Sequence, residues 1–326
     1  MAGTSVSDKP IRRALIIAGP TCSGKSALAL AAAQRFGGTV INADSMQVYR
    51  ELRILTARPS PADEALAPHG LYGVRPAAEP GSAAWWRKAA LAAMAAAQAV
   101  GSVPILCGGT GLYLRTLITG LADIPDPGEA ARAEARALLA ADGPEALHAR
   151  LAAVDPASAV RLRPGDSQRI ARAWEVWRGT GRGLAAWQDA APPPSDWTFA
   201  AVLLDPPRAE LRAAIAARFA AMLQQGALEE VAALLALGLD PALPAMRAHG
   251  VPELAAFLRQ EATLEEAQRH AVLATGQYTK RQATWFRHQA LADPQHTHTI
   301  HARYAGLEQF SESLEGYLSG FLQHGG

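Results

Sequence analysis

The residues Gly19-Pro20-Thr21-Cys22-Ser23-Gly24-Lys25-Ser26 follow a short apolar run and precede a stretch rich in alanine and leucine. They match the G-x-x-x-x-G-K-[ST] pattern in the strand-to-helix setting that its mechanism requires. Glycines let the backbone curl so that successive N–H groups face one anion, and the positive end of the following helix strengthens the attraction. We therefore predict a phosphate-binding loop, with Lys25 on the outer phosphate and Ser26 on Mg²⁺. The pattern fits a diphosphate and a triphosphate equally well.

Short apolar runs outside this loop predict the rest of the fold. The predicted buried strands are Ala14 to Ala18, Thr39 to Asn42, Val103 to Cys107 and Phe199 to Leu204, with helical stretches between them. Strands that alternate with helices are typical of a parallel sheet covered on both faces. The predicted fold class is therefore α/β, a P-loop NTPase-like parallel sheet covered by helices.

Residues 125–197 differ from the rest of the chain, because they form arginine-rich helical segments interrupted by prolines. We predict that they are an inserted all-helical domain, and that residues 1–124 and 198–326 form the α/β core with its C-terminal helices. After the fourth strand the remainder is predicted to be helical. The apolar face of a last amphipathic helix is predicted at Leu307, Phe310, Leu314, Tyr317, Leu318 and Phe321.

Composition limits the class of protein. The 326 residues include 49% hydrophobic residues, and 31 Lys plus Arg balance 30 Asp plus Glu, which favours a large folded core over disorder. The longest apolar stretch, residues 89–100, is shorter than the roughly 20 residues that span a bilayer. The first residues do not resemble a signal peptide, so we expect a cytoplasmic protein without a membrane segment. The two cysteines are too few for a disulfide framework.

Positive charge is concentrated locally on this nearly neutral chain. Residues 161–182 hold six arginines and two acidic residues, and residues 276–303 hold Lys280, Arg281, Arg287 and Arg303 against one aspartate. Such stretches fit a cleft that binds a polyanion, although solvated helix faces would give the same pattern.

Two carboxylates follow predicted strands. Asp44 lies just beyond the second strand, where the carboxyl ends of parallel strands share an edge with the phosphate loop. It would bind Mg²⁺ or accept a proton from a substrate, or else serve only as a turn residue. Asp205 follows the fourth strand, but the prolines after it favour an N-cap over a metal-binding acid. A further glycine-rich turn, residues 108–113, reaches the same edge, so three loops should converge on one crevice.

Together these segments resemble a known family. The GPTxSGKS loop, ADSxQVY at 43–49, TARP at 56–59, GGTxLY at 108–113, DSQR at 166–169 and KRQATWFR at 280–287 are similar to those of the tRNA dimethylallyltransferases and occur in the family order. The resemblance implies transfer of a dimethylallyl group from its diphosphate to N6 of adenine 37 of tRNA, beside the anticodon, with Mg²⁺ and release of pyrophosphate.

The resemblance also implies roles for particular residues. Asp44 would be the base, Lys25 and Arg218 would bind the diphosphate with the loop from Gly19 to Ser26, and Thr21 and Thr110 would line the channel. Electrostatics favours such a second positive clamp on a leaving pyrophosphate. The residues expected to contact tRNA are Asp44, Ser45, Met46, Gln47, Thr110, Gln168, Arg169, Lys280, Arg281, Gln282, Thr284, Trp285 and Arg287. The inserted domain would grip the anticodon stem, and the family acts as a monomer.

Some positions depart from the family pattern. Leu55 stands where the family usually has glycine, Arg58 replaces a lysine, and Ala214 replaces a common arginine. Residues 247–253, RAHGVPE, lack the usual tyrosine and a basic residue. For His249, a buried histidine is a simpler interpretation than a polar substrate contact.

Other functions remain open at this point. A prenyltransferase acting on free adenine nucleotides would share the loop and Asp44, but would not need the inserted domain. A small-molecule kinase, or a P-loop ATPase acting as a switch, would bind ATP in the same loop.

Overall fold

The computed structural model describes residues 11–190, 194–306 and 311–323. It divides the chain into two compact units, residues 1–118 with 196–326 and residues 119–195. Within the described ranges no helix combines the length and the apolar character needed to cross a membrane.

The elements follow one another in an alternating order. The first unit begins with β1 (Arg12–Ala18), α1 (Lys25–Phe36), β2 (Gly38–Asn42), α2 (Pro61–Leu66), β3 (His69–Gly70), α3 (Ala83–Ala99), β4 (Val103–Gly108) and α4 (Gly111–Thr119). The second unit contains α5 (Gly128–Val154), α6 (Pro156–Ala159), α7 (Ser167–Thr180) and α8 (Leu184–Asp189). The chain then continues with β5 (Trp197–Leu204), α9 (Arg208–Gln224), α10 (Ala227–Ala236), α11 (Val251–Leu258), α12 (Leu264–His288), β6 (Thr297–Ile300) and α13 (Glu312–Gln323).

The first unit is built on a six-stranded sheet in the order β3-β2-β4-β1-β5-β6. Every pairing is parallel; Ile16, for example, lies between Leu106 of β4 and Ala201 of β5. The loops after β1, β2 and β4 therefore leave the same edge of the sheet, as the sequence predicts. This arrangement confirms the predicted α/β fold.

Both faces of the sheet are buried, because successive side chains of a strand point to opposite faces. Leu15 and Ile17 pack on one side against α1 and α13, and Ile16 packs on the other side against α3 and α4. This two-sided burial explains why β1 is apolar throughout instead of alternating. A separate apolar cluster joins α9, α10, α11 and α12 to the segment 48–57.

The second unit has its own core, in which Leu147, Leu151, Ile170 and Trp174 meet. Its long helix α5 is interrupted at Gly143, where φ is +79° immediately before a proline. The described residues of this unit form helices and no strand.

The expectation that the chain after β5 is helical was wrong for β6, and β3 was not predicted. Both are edge strands of the sheet. Neither contains a buried residue, so neither shows the continuous apolar run by which the other strands were recognised. The last helix is present as α13, with Leu314, Leu318 and Phe321 buried. Leu307 and Phe310 of its predicted face lie outside the described residues.

The predicted N-cap at Asp205 was also wrong. Pro207 is the residue before α9, in an extended conformation, and no side chain caps this helix. Since the helix begins only at Arg208, the carboxylate of Asp205 is too far back to cap it. It instead accepts two hydrogen bonds from the Arg287 guanidinium, both at 3.0 Å.

Candidate active site

The loop from Gly19 to Gly24 lies between β1 and α1, the strand-to-helix setting that the sequence predicts. Gly24 precedes α1 with φ of +93°, and a Cβ there would lie 1.9 Å from the carbonyl oxygen of Tyr304. Only glycine fits both the backbone angle and this close approach. The loop is thus held from outside by the chain that follows β6.

Lys25 is the first residue of α1 and lies among ionisable groups. Its Nζ donates to the carbonyl oxygen of Pro20 at 3.4 Å. Burial lowers the pKa of Lys25 below its usual 10.5, and the nearby Asp44 carboxylate opposes this effect. A phosphate placed beside Lys25 would favour the charged ammonium in the same way.

The segment after β2 positions Asp44 through hydrogen bonds on both sides. The backbone N–H of Asp44 donates to Asn42 Oδ1 at 2.8 Å, and Asp44 Oδ1 accepts from the N–H of Met46 at 2.9 Å. One carboxylate oxygen therefore fixes the turn, and the structure gives no hydrogen bond within the described chain to the other oxygen. Asp44 is a turn residue, but its carboxylate also lines the cleft described below.

The loop after β4 is joined directly to this segment. Thr110 Oγ1 accepts from the N–H of Ser45 at 2.9 Å, and the N–H of Thr110 donates to the carbonyl oxygen of Ala43 at 3.2 Å. Gly108 packs so closely that a Cβ would lie 2.1 Å from the Ala43 backbone. These contacts hold the second and third loops as one surface.

Gln282 of α12 connects this surface to the phosphate loop. Its Oε1 accepts from the N–H of Thr21 at 2.9 Å and from Thr21 Oγ1 at 3.2 Å, while its Nε2 donates to the Gly109 carbonyl at 2.9 Å. The side chain is buried, with 4% of its surface exposed. Its expected contact with tRNA stays a prediction; within the protein its amide joins the phosphate loop to the loop after β4.

Two arginines from distant parts of the chain reach the phosphate loop. Arg218, on α9, points its guanidinium to Cys22, with 3.7 Å between Nη1 and the sulfur. Arg303, after β6, donates from Nε to the Cys22 carbonyl at 2.9 Å, and the N–H of Tyr304 donates to the Ser23 carbonyl. Sequence reasoning placed Arg218 here only by resemblance, and it did not place Arg303 in the site at all.

The loops enclose a cleft with two connected halves. The cationic half, about 550 Å³, includes Lys25, Ser26, Arg53, Arg58 and Arg303. The apolar half, about 230 Å³, has Leu55, Ile215, Phe219 and Met222 among its walls, together with Arg247, His249 and Tyr278. Both halves share Thr21, Cys22, Asp44, Thr56, Arg218 and Met222. Asp44 therefore lies at the border between a place for phosphates and a place for an apolar group.

The turn of residues 53–57 lines both halves and is fixed by a partly buried network of hydrogen bonds. Glu230 of α10 accepts hydrogen bonds from the backbone N–H groups of residues 53, 54 and 55, at 2.7, 2.7 and 2.9 Å. Gln47 Nε2 donates to the carbonyls of residues 56 and 57, both at 2.9 Å. The turn thereby keeps Thr56 in the cleft. No local sequence pattern connects Glu230 with this turn.

Aromatic groups close the apolar half. Burial raises the pKa of Tyr278 to about 12, with the Asp44 charge acting in the same direction, and its hydroxyl interacts with Thr110 and Gln282. The His249 ring lies 5.0 Å from the Tyr278 ring, and burial lowers the pKa of His249. His249 is thus partly buried and lines the cleft.

The departures from the family pattern lie at the cleft. Leu55 contributes to the apolar half, whereas Arg58 and Ala214 line the cationic half. The Arg58 guanidinium donates to the carbonyl oxygens of Tyr49 and Arg50. The departures at 55 and 58 therefore alter the walls of the cleft itself.

The remaining residues expected at tRNA occupy different places. Lys280, Arg281 and Thr284 are exposed on α12, whereas Trp285 packs on Gly111 of α4. In the second unit, Gln168 and Arg169 lie in the first turn of α7, and Arg169 pairs with Asp166 at 3.5 Å.

A glycine-rich loop between β1 and α1 of a parallel sheet, facing a carboxylate and an apolar cavity, places the chain in the P-loop class of α/β proteins. Comparison with known proteins narrows this class. The family model described as IPP transferase matches residues 47–289, and the isopentenyl transferase model matches residues 12–67.

Relatives are similar along almost the whole chain. The tRNA dimethylallyltransferase of Granulibacter bethesdensis is 63% identical, over 96% of this chain and 98% of that protein. The one from Gluconacetobacter diazotrophicus is 65% identical, over 95% and 93%. The chain belongs to the tRNA dimethylallyltransferase (IPP transferase) family, which confirms the resemblance found in the motifs.

Solved structures agree with this assignment. The tRNA isopentenylpyrophosphate transferase of Bacillus halodurans has a TM-score of 0.66 at 29% identity, over 96% of this chain and 99% of that one. A eukaryotic dimethylallyltransferase acting on tRNA has a TM-score of 0.80 at 24% identity, over 97% and 80%, and supports the fold.

Proposed function

We propose that this enzyme transfers a dimethylallyl group from dimethylallyl diphosphate to N6 of adenine 37 in tRNA and releases pyrophosphate. The observation that carries the proposal is the two-part cleft with Asp44 at its border. The cationic half suits a diphosphate, and the apolar half suits a five-carbon group. The names of the relatives given above describe enzymes that act on tRNA.

The chemistry requires charge stabilisation on one side and proton removal on the other. As the bond between the allylic carbon and the diphosphate oxygen breaks, negative charge develops on the leaving pyrophosphate. Lys25, the loop N–H groups and Arg218, which line the cationic half, would stabilise that charge. As the new C–N bond forms, N6 must lose a proton, and Asp44 is the carboxylate at the border that would accept it.

A flipped base suits this geometry. An adenine stacked in RNA cannot reach an enclosed cleft, so it must be turned out at a cost of a few kcal/mol, which is lower in a single-stranded loop. Thr110 and Tyr278, which lie beside Asp44, would then face the acceptor.

We propose Mg²⁺ as the cofactor, with Ser26 as its protein ligand. The exposed Ser26 hydroxyl and the Asp44 carboxylate supply oxygen donors in the cationic half, and the described residues contain no cluster of three or more metal-binding side chains. Such a sparse donor set suits Mg²⁺, which keeps several waters and binds through substrate phosphates. The ion would neutralise charge on the departing pyrophosphate. Activity should be lost with EDTA and restored by Mg²⁺, and Ser26→Ala should raise the Mg²⁺ concentration required.

The decisive experiment offers labelled dimethylallyl diphosphate and Mg²⁺ to three acceptors: tRNA with adenine 37, the same tRNA with guanine 37, and AMP. We expect label only in the first. Label in AMP would identify a nucleotide prenyltransferase. Absence of label in all three would contradict the proposal, and ATP turnover would then test the kinase and switch alternatives.

We also propose that the enzyme acts as a monomer, as the resemblance to the family implies. Light scattering during size-exclusion chromatography should give a mass near 34.3 kDa. A dimer as the active species would contradict this.

A further inference from the structure

A second depression, separate from the cleft, lies between α9 and α12 and has a volume of about 620 Å³. We call it the basic groove. Its cations are Arg208, Arg212, Arg269, Lys280 and Arg287. Arg208, Arg212 and Arg269 lie outside the two basic stretches of the sequence, residues 161–182 and 276–303.

The positive charge of the basic groove is largely uncompensated. In the described part of the chain, Arg208, Arg212 and Lys280 make no ion pair with a carboxylate, whereas the charge of Arg269 acts on the nearby carboxylate of Glu266; all four cations are exposed. Arg287 pairs with Asp205, whose side chain is 13% exposed and is not part of the described lining of the groove. Maintaining several unpaired cations along one surface favours a polyanionic ligand.

Three of the cations of the basic groove form a row along α12. Arg269, Lys280 and Arg287 lie along α12, so at 1.5 Å of rise per residue the outer two are about 27 Å apart. Arg208 and Arg212 are one turn apart on the facing helix, and Leu211, Val272 and Ala283 are among the residues lining the groove between the helices. A row of this length can contact several consecutive phosphates of one strand.

The lining also argues against a protein partner. Aromatic residues are enriched in protein interfaces, but the described lining of the groove contains none. Arginine, lysine, glutamine and threonine side chains are the groups that bind phosphates and sugars of nucleic acids. Gln277 and Thr284 supply the uncharged donors here.

The groove and the cleft share no described lining residue, but the same two helices contribute to both. α9 carries Arg218 to the cleft, and α12 carries Tyr278 and Gln282 to it. A nucleic acid that occupies the groove would therefore extend from helices that also build the reaction site.

We propose that the basic groove binds the phosphate backbone of the substrate tRNA, outside the nucleotide that enters the cleft. This inference rests on the proposed function for the identity of the RNA. It assigns to Arg208, Arg212 and Arg269 a contact that positions tRNA without reading its sequence.

The test uses the full chain with Arg208→Gln, Arg212→Gln and Arg269→Gln combined. A control variant removes three exposed cations elsewhere in the first unit, through Arg35→Gln, Lys88→Gln and Arg259→Gln. The dissociation constant for unmodified tRNA is measured over a range of salt concentrations. Each lost phosphate contact should reduce the slope of log K against log salt by about 1, so we expect a reduction of about 3.

Further measurements separate this role from a structural one. The groove variant should weaken binding by about tenfold or more at low salt, equally for tRNA with adenine 37 and with guanine 37, because phosphate contacts are independent of sequence. It should raise KM for tRNA while kcat at saturating tRNA and the melting temperature stay at the wild-type values. The control variant should retain the wild-type slope.

An unchanged slope in the groove variant would overturn the proposal, as would an equal loss in the control variant. Loss confined to one tRNA sequence would also overturn it, because it would indicate base reading. If the wild-type enzyme failed to prenylate any tRNA but the groove variant still reduced the salt slope, the groove would stand as an RNA surface and only the proposed function would fail.

Discussion

The two halves of the cleft differ in how they are built. The cationic half is organised around one continuous loop, whose N–H groups, Lys25 and Ser26 come from residues 19–26. The apolar half has no such centre: Leu55, Phe219, His249 and Tyr278 come from separate segments that meet only in the folded chain. A phosphate site can thus be specified locally, whereas a cavity for an apolar group depends on tertiary packing.

Asp44 belongs to both halves, so replacing it tests whether they act together. Asp44→Asn keeps an oxygen that can accept from the N–H of Met46, so the turn should survive. Loss of the base should lower kcat about a thousandfold, within the range known for general bases. Single-turnover transfer to tRNA measures this, and tRNA binding should remain within a factor of about two, since no contact that organises the loops is removed. A wild-type rate in this variant would remove Asp44 from the mechanism.

Replacing Arg218 should impair the cationic half of the cleft more than the apolar half. Arg218→Ala should lower kcat/KM for the diphosphate about a hundredfold, as expected when one stabilising donor is removed. Arg218→Lys should recover part of this loss, because a lysine retains the charge but not the paired donors. Steady-state rates at limiting donor provide the measurement. An unchanged rate would place the diphosphate away from α9.

Arg303 tests whether the chain after β6 belongs functionally to the phosphate loop. Arg303→Ala removes the hydrogen bond to Cys22 and one charge from the cationic half. We expect pyrophosphate to bind about tenfold more weakly, which corresponds to a charged hydrogen bond of about 1.4 kcal/mol. Binding of pyrophosphate can be measured by calorimetry. His301→Ala, in the same segment but 76% exposed, is the matched control and should bind as the wild type does.

Leu55 tests the apolar half alone. Leu55→Ala should enlarge this half and raise the relative kcat/KM for geranyl over dimethylallyl diphosphate by about tenfold, since a few methylenes change selectivity by this order. The variant should also lose about 2 kcal/mol of stability, as is usual when a buried leucine is truncated. Competition between the two donors for one tRNA gives the ratio.

Leu52→Ala separates stability from selectivity. Leu52 is fully buried in the same cluster but does not line the cleft. It should lose stability without changing the preference between donors. If both variants shifted the preference equally, Leu55 would have no specific role.

Replacing His249 should have a smaller effect, on the pH dependence of stability. Burial lowers its pKa below the ordinary 6.5, so the unfolded chain binds its proton more readily than the folded one. The partly buried, neutral His249 therefore contributes to stability above pH 6.5, and this contribution is lost as the pH falls through the lower pKa of the folded state. Thermal melting should therefore show a smaller loss of stability on acidification for His249→Gln than for the wild type. Identical losses would contradict the assignment.

The sequence predicts the features that are specified locally and misses those that depend on tertiary packing. Strands β1, β2, β4 and β5 were identified because both of their faces are buried, and the phosphate loop because its chemistry is local. The edge strand β6 and the pairing of Asp205 with Arg287 were missed, because each depends on a partner distant in sequence. Family resemblance indicated Arg218.

No local pattern in the sequence indicates the remaining residues of the cleft. Glu230 acts on a turn about 175 residues earlier in the chain, and its contacts leave no pattern around residue 230. Tyr278 and Arg303 reach the cleft through helix packing and through the segment after β6, which periodicity alone does not reveal.

The closure of the phosphate loop by Arg303 and Tyr304 has a consequence for synthesis on the ribosome. The loop is made long before its partners in the fold, because β1, the strand that precedes it, lacks its neighbour β5 until residues 197–204 have been made. Its outer contacts wait still longer, for residue 304. A nascent chain therefore cannot complete the surroundings of the phosphate loop until nearly all of the described residues have been translated. If the loop binds a diphosphate as proposed, affinity for pyrophosphate would appear late in folding.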